Sequence, residues 1–133
     1  MPPALDHIGI AVGDLEAACR RYALLGFEAG EREEVPLERV RVAMLPLAAG
    51  RIELLEPTAP ESPIAKFLAN RGEGLHHVAL QVPDLAAAVA RLQAAGARLV
   101  NETIQTGAGG HRYVFVHPAS AGGVLLELVE ARA

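Results

Sequence analysis

One cysteine in 133 residues leaves no partner for an internal disulfide. That thiol, Cys19, falls in a predicted helix, and a reducing, cytoplasmic setting is the expectation. No apolar run approaches the length that spans a bilayer, and the first residues lack the charged-then-apolar pattern of a secretion signal. Lys and Arg form no run, and the net charge is −4, so nucleic acid and anionic membranes are not expected as partners. A Ser/His/Asp nucleophile elbow is missing, and the TGAGG stretch is too short to read as a phosphate loop.

What is present is a globular composition, 51% hydrophobic and 21% charged, in a length that suits one domain with a true core. The chain also says the same thing twice. LDHIGIAVGDL, from Leu5 to Leu15, returns as GLHHVALQVPDL, from Gly74 to Leu85, with His77 on His7 and Asp84 on Asp14. Each copy opens as an alternating strand. Each turns at Gly or Pro with an Asp that caps a helix, closed by Gly26 in the first copy and Gly96 in the second.

Residues Phe27 to Val35 read as a highly charged strand, and Val40 to Leu47 with Arg51 to Glu56 as a hairpin. PTAPESP, a short helix from Ile64 to Asn70, and RGEG join the two copies. After Gly96 a strand is expected to start at Ala97 to Val100, followed by strands Tyr113 to His117 and Val124 to Val129. The reading is α+β: two tandem βαβββ modules, about 5–57 and 75–131 with a linker of about 58–74, in one domain of residues 1–133. The modules should pair into an eight-stranded, cup-like sheet with helices outside.

A carboxylate inside an apolar strand is costly unless paired, hydrogen-bonded or bound to a metal. RIELLEP places Glu53 on the face of Leu55, and VLLELVE places Glu127 on the face of Leu125 and Val129. Each module thus supplies one His from its first strand and one Glu from its last: His7 with Glu53, His77 with Glu127. Singly, each residue has an ordinary structural reading. Recurring in matching positions, the four predict a divalent-metal site of mixed N and O donors. His76, His111 and His117 are read as structural.

Through these residues the chain resembles the vicinal oxygen chelate (glyoxalase-like) superfamily. Within it the resemblance is greatest to the methylmalonyl-CoA epimerases, carried by LDHIGIAV, RIELLEP, SPIAKFL, GEGLHHVALQV, GAGG and VFVHPASAGGVLLELVE. It implies metal ligands at His7, Glu53, His77 and Glu127. Some members carry Gln at the Glu53 position. The implied ion is Co2+ first, with Mn2+, Ni2+, Zn2+ or Mg2+ as alternatives. The chain departs from the family at Ala119, where many members carry Lys. It departs again at Leu37, Glu38 and Arg39, where an EQG-like triplet is usual.

The implied activity is interconversion of (2R)- and (2S)-methylmalonyl-CoA through an enolate, with Glu127 as a catalytic acid/base and Glu38 the candidate for the second. The implied partners are an acyl-CoA and a second copy in a homodimer, with Lys66, Arg71 and Arg112 available to phosphate. Two other readings stand beside it: a glyoxalase I-like enzyme acting on glutathione-type hemithioacetals, and a ligand-sequestering protein of the same fold that does no chemistry. The second of these should lack the four ligands.

Overall fold

The computed structural model describes residues 2–131, and of residue 108 the backbone alone. Two compact units carry the chain: residues 7–76, and residues 1–6 together with 77–133. The first holds most of β1 (Ala4–Ala11), then α1 (Leu15–Leu24), β2 (Arg32–Val35), β3 (Val40–Pro46), β4 (Arg51–Pro57) and α2 (Pro63–Arg71). The second takes up most of β5 (Gly74–Val82), then α3 (Leu85–Ala94), β6 (Gln105–Thr106), β7 (Arg112–Val116) and β8 (Leu126–Glu130). The eight strands form one sheet in the order β2-β3-β4-β1-β5-β8-β7-β6. The order βαβββ, stated twice, is therefore the observed one.

In the first unit β1 runs parallel to β4, with His7 opposite Arg51 and Gly9 opposite Glu53. β3 pairs antiparallel with both β2 and β4. Period-two alternation sends Ile10, Ile52 and Leu54 to one face, where they pack with Leu15, Ala18 and Cys19 of α1. His7 and Glu53 belong to the other face. Asp14 caps α1 by accepting the N–H of Ala17 at 3.1 Å, and Gly26 leaves the helix with φ of 97°.

The second unit repeats the plan. β5 runs parallel to β8, and β7 pairs antiparallel with β8. Leu80, Val82, Val114, Leu126 and Leu128 pack against Leu85, Ala88 and Val89 of α3. Asp84 caps that helix through the N–H of Ala87 at 3.0 Å. The other face carries Ala79, Tyr113 and Val129 with Phe115 against them.

Two expected strands come out shorter. Residues 27–31 are irregular, and only Arg32–Val35 pairs. The strand expected to start at Ala97 is reduced to a single bridge, Leu99 to Val116, before the two-residue β6. The reason is local competition for backbone groups. The N–H of Arg98 goes to the Ser120 hydroxyl, and the N–H of Phe115 goes to the Asn101 side chain. Side chains satisfy this edge where a longer strand would have done so. Among the described residues, no helix is long and apolar enough to cross a membrane.

Candidate metal centre

Within the first unit, the Nδ1 of His7 lies 3.4 Å from Oε2 of Glu53, and both side chains are buried. Within the second unit, the Nε2 of His77 lies 3.0 Å from Oε1 of Glu127, again buried. Each module thus brings its own predicted His and Glu together. Both residues of each pair sit on the face of the sheet turned away from the helix.

The second His–Glu pair has an aromatic wall. Phe115 meets the His77 ring edge-on, with centroids 5.2 Å apart and planes at 90°, and Tyr113 meets Phe115 in the same manner at 5.6 Å. Such contacts fix the plane of an imidazole without using either nitrogen. In the first unit the neighbour is charged. Arg51 places a guanidinium nitrogen 3.1 Å from Oε2 of Glu53, the same oxygen that His7 approaches. Arg51 was missed as a site residue. Its spacing from Glu53 puts both on one face of β4, which was the available signal.

Two of the other histidines pack or close a turn. His76, on the opposite face from His77, packs edge-on against Phe67 of α2 at 5.0 Å. The Nδ1 of His117 accepts the N–H of Ala119 at 3.0 Å, closing the turn that follows β7. Glu38 sits in the tight turn between β2 and β3, beyond the Val40–Pro57 end of the hairpin, while Glu53 faces Met44. Of the candidate phosphate contacts, Arg112 is tied to Glu130 at 2.8 Å and Arg71 lies over the Phe67 ring; Lys66 is exposed.

The donor chemistry fits a divalent cation. Buried carboxylates require a cationic or hydrogen-bonding partner, and neutral imidazole with carboxylate is the mixture that borderline divalent ions accept. His7, His77 and Glu127 are all buried and offer the atoms such an ion takes.

Residues 6–115 match the Glyoxalase/Bleomycin resistance protein/Dioxygenase superfamily. The chain belongs to that superfamily. Among its relatives is the mitochondrial methylmalonyl-CoA epimerase of Bos taurus, 40% identical over 129 residues, covering 96% of this chain and 74% of the relative. The ethylmalonyl-CoA/methylmalonyl-CoA epimerase of Cereibacter sphaeroides is 42% identical over 127 residues, covering 93% and 95%. A solved methylmalonyl-CoA epimerase in complex with methylmalonyl-CoA and NH4+ superposes with a TM-score of 0.92 at 38% identity, over 100% of this chain and 97% of that one. The superfamily's fold is thus the fold of this chain. Membership and the buried His and Glu donors together point to a divalent metal ion.

Proposed function

We propose that this chain interconverts (2R)- and (2S)-methylmalonyl-CoA. The observation that carries the reading is the similarity to epimerases over nearly the full chain, joined to a buried His–Glu pair in each module. His7, Glu53, His77 and Glu127 are proposed as the ligands of one divalent ion, Co2+ first, with Mn2+, Ni2+, Zn2+ or Mg2+ as alternatives. When bound, such an ion supplies Lewis-acid stabilisation of the negative charge that develops on the substrate's oxygens.

The chain's own residues do the rest. A proton between a thioester and a carboxylate is weakly acidic, and its removal leaves a planar enolate. Glu127 is assigned the proton on one face, as a positioned general base that takes it in one direction of the reaction and donates it in the other. The 3.0 Å contact with His77, held in plane by Phe115, orients its carboxylate. Inversion needs a carrier on the opposite face, and Glu38 is assigned that task. The single cysteine, buried and unpaired, suits a reducing cytoplasm.

The test is a coupled assay fed with one epimer of methylmalonyl-CoA, with and without chelator. Turnover abolished by chelator and restored by Co2+ is the expected result. No turnover of either epimer in the metal-loaded protein would overturn the reading. A glyoxalase I-like activity is tested alongside, with a glutathione hemithioacetal as substrate.

A further inference from the structure

Arg51 opens β4 two residues before Glu53 and directly opposite His7. Its side chain is 19% exposed, against 7% for Glu53, so the guanidinium keeps partial access to solvent while the carboxylate is buried. Arg51 and His7 both approach Oε2 of Glu53, at 3.1 and 3.4 Å. Neither contact uses Oε1. One oxygen of Glu53 is therefore approached by two nitrogen groups from neighbouring strands.

The charges make this arrangement consequential. Two glutamates and two neutral imidazoles carry two negative charges, which a divalent ion cancels. Arg51, always protonated, adds one positive charge to a site that would otherwise be neutral. A malonyl-type acyl-CoA brings one carboxylate beside the reacting carbon, and that charge restores the balance. We propose that Arg51 sets the charge of the metal site: bridged to Oε2 of Glu53, it weakens the hold on the metal ion and strengthens the hold on the substrate's carboxylate. This role rests on the metal-dependent epimerase reading above. Arg51 acts partly through Glu53, so it is a positioning and specificity residue.

The sign of the effect separates it from a structural role. A mere support for Glu53 would, when removed, loosen the metal. A like charge, when removed, tightens it, and a unit charge at contact distance in a half-buried site is large enough to dominate. Titration of the full chain with Co2+ in a calorimeter, without substrate, reads the first quantity. KM for methylmalonyl-CoA reads the second. Arg51→Met should bind Co2+ at least ~10-fold more tightly and raise KM at least ~10-fold, with a weaker dependence of KM on salt. Arg51→Lys keeps the charge and should hold both within ~3-fold of wild type. Arg51→Met combined with Glu53→Gln restores the net charge and should bring Co2+ affinity back towards the wild-type value.

Arg51→Met with unchanged or weaker Co2+ affinity would overturn the proposal and leave the metal-dependent reading standing. Wild-type chain that takes up no Co2+ would overturn that reading itself. Failure of Arg51→Met to fold leaves the decision to Arg51→Lys: a KM raised ~10-fold or more, with the charge kept, would refute a role for the charge.

Discussion

The carboxylate of Glu130 accepts the backbone N–H of Leu85, the first residue of α3, at 3.2 Å. Glu56 does the same for Leu15 at the start of α1, at 2.8 Å. Each of these glutamates lies three residues after the one that meets its module's histidine, and so on the opposite face of its strand. Each also holds an arginine on the neighbouring strand, Arg112 at 2.8 Å and Arg41 at 3.2 Å. One E-x-x-E segment per module therefore serves both sides of the sheet. Its first carboxylate meets the module's histidine, and its second ties the helix N-terminus to the strand.

A charged acceptor at a helix N-terminus satisfies an orphan N–H and complements the helix dipole. Glu56→Ala should lower stability by about 1–2 kcal/mol, in the range of a lost cap, and Glu130→Ala by a similar amount. Urea unfolding monitored by circular dichroism measures this. Turnover at 25 °C should stay near the wild-type value in both, because neither side chain faces the site. Loss of turnover with stability intact would contradict the two-sided division of labour.

Glu127 and Glu53 should respond differently to the same substitution. Glu127→Gln keeps an oxygen donor of similar shape but removes the basicity, and turnover should fall at least ~10²-fold. Glu53→Gln should retain most of its turnover, because no proton passes through it. Solvent deuterium incorporation at C2 of methylmalonyl-CoA, measured in both variants at saturating metal, distinguishes them. Equal exchange in the two would refute the special role of Glu127.

Phe115 holds the His77 ring edge-on and is itself met by Tyr113. Phe115→Leu preserves apolar bulk and removes the aromatic edge, at a cost of about 0.5–1.5 kcal/mol in stability. kcat should fall severalfold with KM little changed, since the imidazole that orients Glu127 gains freedom. A KM effect without a kcat effect would place Phe115 in substrate binding.

Burial pushes the Cys19 thiol above its ordinary pKa, with Glu16 adding to the effect and Arg32 and Arg20 opposing it. The folded protein therefore keeps its proton where the unfolded chain has begun to lose it. The contribution to stability is full below the unfolded value, about 8.5, and declines as pH rises past it. Cys19→Ala should remove this part of the alkaline decline. Native protein at pH 8 should react with iodoacetamide far more slowly than denatured protein. Equal rates would show the thiol to be accessible.

The duplicated module, the helix caps Asp14 and Asp84, and the buried His–Glu pair of each module were legible in the chain itself. They depend on local rules: a period of two along strands, a capping residue before a helix, and the cost of a carboxylate among apolar neighbours. Repetition supplied the rest, because a pattern that occurs twice in matching positions constrains both copies. The partners of Glu56 and Glu130 were decided by tertiary structure, since a helix N-terminus finds its acceptor across a distance no local spacing encodes. So was the pairing of Arg51 with Glu53. Alternation placed both on one face, but only the opposition of His7 and Arg51 across β1 and β4 brought two nitrogen groups to a single carboxylate. The strand expected from Ala97, reduced to the Leu99 bridge, belongs to the same class. Its apolar residues could extend a strand, and the side chains of Ser120 and Asn101 reached the backbone groups of Arg98 and Phe115 first.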